Sequence, residues 1–202
     1  MSRSQIPNAI TLLRLLLGAG CFVALEGCRF GSNDPKWLLP LAILLFIAAA
    51  ATDALDGYLA RKWQVESRFG RIMDPFCDKM LIIGAFLFLA SGHLAEATGV
   101  APWMVVAVLA RELLVTGIRD EMEGSGVKFG ANWSGKAKMI AQSIAIPTIL
   151  AIVWWMDKAP WLPEIPSFMV HVKTGLVWLT LSITLLSGVP YLTAAVKNMG
   201  TK

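Results

Sequence analysis

Residues 37–61 read WLLPLAILLFIAAAATDALDGYLAR, and this stretch decides the fold. From Trp37 to Thr52 no side chain is ionisable, and the apolar segment then continues through Asp53 and Asp56 to Leu59. A helix of about 20 apolar residues spans the hydrocarbon core of a bilayer. Five further segments of this kind lie on either side: Ala9–Leu25, Ile72–Ala90, Pro102–Glu121, Ala137–Met156 and Gly175–Val196. The chain has 202 residues, of which 56% are hydrophobic and 16% charged, with mean hydropathy +0.61. That is more apolar than a soluble domain of this size. The expectation is an all-α integral membrane bundle of six transmembrane helices, spanning 1–202 as a single domain without a long polar linker or an internal repeat. Met1–Leu17 carries a basic residue and an apolar run, but Glu26, Cys28 and Arg29 make no small-residue cleavage site, so the segment reads as a retained first helix.

The basic residues set an orientation. Arg3, Arg61, Lys62, Arg68, Arg71, Arg119, Lys128, Lys136, Lys138, Lys197 and Lys202 fall on one side, and Arg29, Lys36, Lys158 and Lys173 on the other. Eleven against four places both termini in the cytoplasm. The net charge of +4 is thereby accounted for in cytoplasmic loops and signals no nucleic acid. Trp37, Trp103, Trp154, Trp155 and Trp161 sit near segment ends, as an interfacial belt does. Cys21, Cys28 and Cys77 form no C-x-x-C pair and read as packing residues.

Charge inside the spans is the unusual feature. Asp53, Asp56, Asp74, Asp78, Lys79, Arg111 and Glu112 lie within or at the edges of apolar segments. Ionisable groups at such depth persist where they pair, bind ions or line a wet cavity. Arg14 is closer to its segment's end, where snorkelling to the interface accounts for it. Asp53 and Asp56 are three apart, Asp74 and Asp78 four apart, and each spacing puts both carboxylates on one helix face. A short connection makes the two helices antiparallel neighbours, so all four carboxylates converge at their cytoplasmic ends. Converging carboxylates repel, which hard divalent cations resolve through oxygen ligands. Simple pairing with Arg61, Arg68, Arg71 and Lys79 is the competing account. Asp74-Pro75 also reads as an N-cap followed by proline at the first helical position.

Together these residues read Asp53-x-x-Asp56-Gly57-x-x-Ala60-Arg61, eight residues, Gly70, three residues, Asp74, three residues, Asp78. The pattern resembles the signature of the CDP-alcohol phosphatidyltransferases at every position. In that light Gly57 lets a nucleotide approach the helix backbone, although a packing glycine is common in membranes. Ala60 leaves the same space, Arg61 grips a pyrophosphate, and Gly70 lets the loop turn tightly. The opening Ile6-Pro7-Asn8-Ala9-Ile10-Thr11 resembles the family's start, which implies that Asn8 and Thr11 hold the CDP moiety, with Ser67 touching the same ligand. Ala110-Arg111-Glu112 with Arg119, and Ser134-Gly135-Lys136-Ala137-Lys138, are similar to a subgroup, the bacterial phosphatidylglycerophosphate synthases. There Arg111, Arg119, Lys136 and Lys138 would receive the phosphate of glycerol 3-phosphate. An Arg111–Glu112 pair and cytoplasmic anchoring are the plain alternatives.

The resemblance implies a phosphatidyl transfer from CDP-diacylglycerol to glycerol 3-phosphate at the cytoplasmic face of a bacterial inner membrane. Asp53, Asp56, Asp74 and Asp78 would hold two Mg2+ or Mn2+ ions, with Asp78 also acting as general base. It further implies a homodimer among membrane lipid. Inositol phosphate, serine or phosphatidylglycerol are alternative acceptors. A cation-coupled transporter is a remote alternative, because its carboxylates belong near the midplane of repeated halves. No Ser–His or Cys–His pair suggests a covalent enzyme intermediate.

Overall fold

The computed structural model describes residues 5–28, 35, 37–63, 68–125, 133–157 and 166–199. The described residues form eight helices: α1 Gln5–Glu26, α2 Leu38–Trp63, α3 Arg68–Leu89, α4 Gly92–Thr98, α5 Pro102–Gly124, α6 Trp133–Asp157, α7 Ser167–Leu186 and α8 Val189–Met199. Four stretches are long and apolar enough to cross a membrane: Asn8–Glu26, Leu38–Gly57, Gly135–Asp157 and Ser167–Lys197. The structure is thus an all-α bundle of the kind a multi-pass membrane protein has. The counterparts of the expected third and fourth segments, α3 and α5, stand apart because they carry the charge. Asp74, Asp78 and Lys79 interrupt the apolar part of α3, and Arg111, Glu112 and Arg119 that of α5.

Polarity is distributed inside out. Leu16, Val23, Leu44, Ile47, Leu87, Val106, Leu113, Ile140 and Leu186 are exposed, whereas Thr11, Arg14, Asp56, Arg111, Glu112, Lys138, Gln142 and Lys173 are buried. Water would penalise such an arrangement. Lipid rewards it, because polar groups then find partners only inside the protein.

Helix α1 occupies the centre of the first half, packing extensively on both α2 and α3, which touch each other far less. The expected α2–α3 contact is present but slight, and α1 packs on both helices. Small residues permit the approach. A Cβ on Gly18 would meet Met80 at 3.4 Å, one on Gly20 would meet Leu45 at 3.4 Å, and one on Gly84 would sit 2.3 Å from the Phe22 ring. Phe22 in turn stacks on Phe88 with centroids 5.5 Å apart.

Three local expectations are corrected. Pro75 lies inside α3, which begins at Arg68, so Asp74 is not an N-cap. The proline forfeits one backbone bond, but the helix is already established before it, and the Asp74 carboxylate is released from capping. Gly70 is helical within α3 rather than a loop turn; positive backbone φ occurs at Gly92 and Gly99, which bracket α4. The sixth apolar segment is two helices, broken at Ser187–Gly188.

At the opposite end from the aspartates, Lys173 is buried and donates to the Ala97 carbonyl at the end of α4. It satisfies a carbonyl that a helix C-terminus leaves open, rather than anchoring at the surface. The three cysteines are buried and unbridged. Cys21 and Cys28 donate to the carbonyls of Ala42 and Ala24.

Candidate active site

Side-chain contacts join the N-terminal half of α1 to the C-terminal half of α2 and the N-terminal half of α3, and the middle of α5 to the N-terminal half of α6 and the end of α7. Two polar clusters form there.

The first lies between α1, α2 and α3. Arg14 is 1% exposed. One of its terminal nitrogens lies 2.6 Å from Asp53 Oδ1, and the other bonds Asp56 Oδ2. Thr11 Oγ1, one turn earlier, lies 3.2 Å from Asp74 Oδ1 and 3.5 Å from Asp56 Oδ2. The structure thus brings Asp53, Asp56 and Asp74 together around two side chains of α1. Arg14 does not snorkel: a guanidinium can remain this deep when carboxylates compensate its charge. Its role was missed in the sequence. Its three-residue spacing from Thr11, one helix face, was the available signal.

Three carboxylates against one guanidinium leave two negative charges in this cluster, before Asp78 is counted. Oxygen-only donors with a net deficit of that size suit a hard dication. Among the described residues, however, no three acidic, histidine or cysteine side chains are gathered tightly enough to enclose an ion. The carboxylates are instead turned toward Arg14 and Thr11. The donor chemistry fits a divalent ion.

The second cluster lies between α5, α6 and the end of α7. Glu112 Oε1 accepts from Arg111 Nη1 at 2.9 Å and from Lys138 Nζ at 2.8 Å, all three buried. Arg111 Nη2 donates to Ser187 Oγ at 2.9 Å. Behind it Gln142 Nε2 donates to Thr184 Oγ1 at 3.1 Å. Two cations against one carboxylate leave this cluster with one positive charge. Arg119, further along α5 and exposed, donates to the Tyr191 hydroxyl at 3.1 Å and sits 5.6 Å from the centre of its ring. The Arg111–Glu112 pair expected as a plain alternative is present, and Lys138 joins it. Lys136, two residues before Lys138 in α6, is exposed.

Asp78 stands between the clusters. It lies on α3, which packs on α1 and α2 as well as on α5 and α6, so charges of both clusters act on it. Unlike Asp53 and Asp56, it enters no ion pair among the described residues. Lys79, the next residue, faces α5 and donates to Thr116 Oγ1 at 2.6 Å. It does not serve as counter-ion to the aspartates.

Of the expected donor-site residues, Asn8 and Thr11 share α1, and Gly57 follows Asp56 in α2. Ser67 lies outside the described residues, as do the side chains of Ala60 and Arg61.

The sequence profile described as CDP-alcohol phosphatidyltransferase matches residues 4–186. Named relatives agree with it. The CDP-diacylglycerol–glycerol-3-phosphate 3-phosphatidyltransferase of Bacillus subtilis (strain 168) is 37% identical over 154 residues, 72% of this chain and 76% of that protein. Proteins of the same name from Salmonella typhimurium (strain LT2) and Shigella flexneri are 31% and 32% identical over 193 residues, 95% of this chain and 94% of theirs.

Proposed function

The chain belongs to the CDP-alcohol phosphatidyltransferases, and we propose that it transfers the phosphatidyl group of CDP-diacylglycerol to glycerol 3-phosphate, giving phosphatidylglycerol phosphate and CMP. The observation that carries the choice of acceptor is the net-positive Arg111–Glu112–Lys138 cluster, set beside the net-negative Asp53–Asp56–Asp74 cluster with Asp78 between them. A buried surplus cation is costly until an anion completes it. A phosphate-bearing alcohol brings net negative charge, whereas serine is a zwitterion whose ammonium offsets its carboxylate. The relatives' printed names point to the same acceptor.

In the proposed mechanism the donor's diacylglycerol stays in the lipid while its nucleotide enters the polar end of the bundle. Gly57, which has no side chain, leaves room beside the carboxylates for the nucleotide, and Asn8 and Thr11 hold the CDP moiety. Asp53, Asp56 and Asp74, with Asp78, are the residues that would hold divalent metal ions, which the family generally uses. Bound there, such ions neutralise the pyrophosphate and the charge that develops on departing CMP. Arg111, Lys138, Arg119 and Lys136 draw in the acceptor's phosphate and orient its hydroxyl toward the β-phosphorus. Asp78 takes the hydroxyl proton. The acceptor oxygen forms a bond to the β-phosphorus as the bond from that phosphorus to the bridging oxygen of CMP breaks.

The purified protein, reconstituted with CDP-diacylglycerol and Mg2+, is expected to release CMP with glycerol 3-phosphate and to do so poorly with serine, inositol phosphate or phosphatidylglycerol. CMP release with one of those and none with glycerol 3-phosphate overturns the acceptor assignment. Release in none of them overturns the enzyme reading.

We read α3 and α5 as two further spans, making six. At about 1.5 Å per residue their 22 and 23 residues reach about 33 Å, enough for a core of about 30 Å. Arg111 and Glu112 are buried in the interior cluster, and the exposed Arg119, Asp120, Glu121 and Glu123 lie in the last turns of α5, where a span reaches the interface. Both termini and the active site are then cytoplasmic. Cysteines placed at Lys62 and Ser125 should react with an impermeant maleimide only after the inner membrane is opened, and a cysteine at Ser91 before. The reverse pattern inverts the topology.

A further inference from the structure

We infer that the turn and helix at the C-terminus, through Ser187 and Tyr191, position the two arginines that receive the acceptor's phosphate. The inference rests on the acceptor reading above and extends it to a segment beyond residue 186, where the family profile ends.

That profile describes a family of CDP-alcohol enzymes as a whole, and its stretch contains every carboxylate of the first cluster. Ser187 and Tyr191, which hold Arg111 from beyond its Glu112 partner and Arg119 from beneath, follow it. The Ser187 hydroxyl donates to the Thr184 carbonyl at 2.6 Å, which fixes its proton and leaves its lone pairs to accept from Arg111 Nη2 at 2.9 Å. Gly188 lies beneath the same side chain. A Cβ there would sit 3.4 Å from Arg111 Cγ and 3.5 Å from its Nε, so the arginine stem runs along bare backbone. One turn on, Tyr191 is 1% exposed. Its hydroxyl accepts from Arg119 Nη2 at 3.1 Å, and its ring lies 5.6 Å under the guanidinium. The same hydroxyl rests against Gly135 of α6, where a Cβ would approach to 3.5 Å. The tyrosine thus ties Arg119 to the N-terminal end of the helix that carries Lys136 and Lys138.

Arg119 is exposed, and an untethered arginine loses much rotamer freedom on binding a phosphate. A buried tyrosine that holds it beforehand removes part of that cost, which is preorganisation. Tyr191 and Ser187 act through the arginines and need not touch substrate.

The test is steady-state kinetics of the full-length protein with both substrates varied, for Tyr191→Phe, Ser187→Ala, Ser187→Thr and Arg119→Ala. Tyr191→Phe and Ser187→Ala are each expected to raise the apparent KM for glycerol 3-phosphate about tenfold, the scale of a hydrogen bond to a charged group. The KM for CDP-diacylglycerol and kcat should stay within about twofold. Ser187→Thr keeps the hydroxyl and should restore the acceptor KM. Tyr191→Phe should add little to Arg119→Ala, since it acts through that residue. If Arg119→Ala raises the acceptor KM while Tyr191→Phe and Ser187→Ala do not, the inference fails and the acceptor site stands. If Arg119→Ala also leaves it unmoved, the acceptor site itself is overturned. A fall in kcat, a shift in donor KM and a lowered melting temperature together would assign the segment a merely structural role and overturn the inference too.

Discussion

Asp56→Asn is expected to lower kcat by about a thousandfold or more, about 4 kcal/mol of transition-state stabilisation at 1.36 kcal/mol per decade. The proposed cause is loss of a hard-cation ligand, because a neutral amide oxygen is a poor substitute for a carboxylate. A competing cause has to be weighed. Asp56 is also the buried partner of Arg14, and breaking a buried ion pair costs about 3–5 kcal/mol of folding stability. Asparagine, however, keeps an oxygen that accepts from the guanidinium, and Asp53 remains 2.6 Å from the other terminal nitrogen. The folding loss should therefore be smaller than the catalytic one. Tryptophan-monitored melting separates the two: the variant should melt cooperatively and only a few degrees lower. Calorimetry should show wild-type protein binding CDP-diacylglycerol in Mg2+ and far more weakly in chelator. In Asp56→Asn that metal dependence should shrink. A variant that turns over normally, or binds the donor with undiminished metal dependence, removes Asp56 from the metal site.

The gathering of Asp53, Asp56 and Asp74 was legible because helix periodicity converts spacings of three and four into shared faces. Which helix would lie between them was not legible. Arg14 sits close enough to its helix end to reach water, and only the packing of α1 between α2 and α3 turns it inward. Glycines 18, 20 and 84 make that packing possible, but spacing alone does not say which helices they admit. At Asp74-Pro75 a sound local rule for helix starts was overridden. The helix begins earlier, at Arg68, in a stretch too polar to read as a span. The break between α7 and α8 was signalled by Ser187-Gly188-Val189-Pro190 and masked by unbroken hydropathy. Lys173 was counted as a surface anchor since charge tallies are blind to burial. The basic residues of α5 and α6 were visible as charges. Their sharing of Glu112 is a property of three helices meeting.

Asp78→Asn should separate the chemical step from donor binding. Asp78 follows Asp74 by four residues, so it lies one turn further along α3 on the same face, about 6 Å along the axis at 1.5 Å per residue. That step carries it from the Arg14 cluster toward the Glu112–Lys138 pair, and it feels the charges of both. A general base must reach the acceptor hydroxyl while the donor phosphorus is held by other residues, and Asp78 is the aspartate so placed. Asp53 and Asp56 are engaged with Arg14, whereas Asp78 enters no ion pair among the described residues, leaving its carboxylate for a proton. Removal of a positioned base costs about 10²- to 10⁴-fold in rate, so kcat should fall by that factor. Donor affinity, measured by calorimetry in Mg2+, should change by no more than about tenfold, the margin left for one lost metal oxygen, about 1.4 kcal/mol. Asp56→Asn, measured alongside, should lose both turnover and metal-dependent donor binding. If Asp78→Asn loses donor binding to the same degree, Asp78 is chiefly a ligand, and the proton must leave by another route. If it retains turnover within a few fold of wild type, Asp78 is neither base nor essential ligand, and the proposed division between the two clusters falls with it.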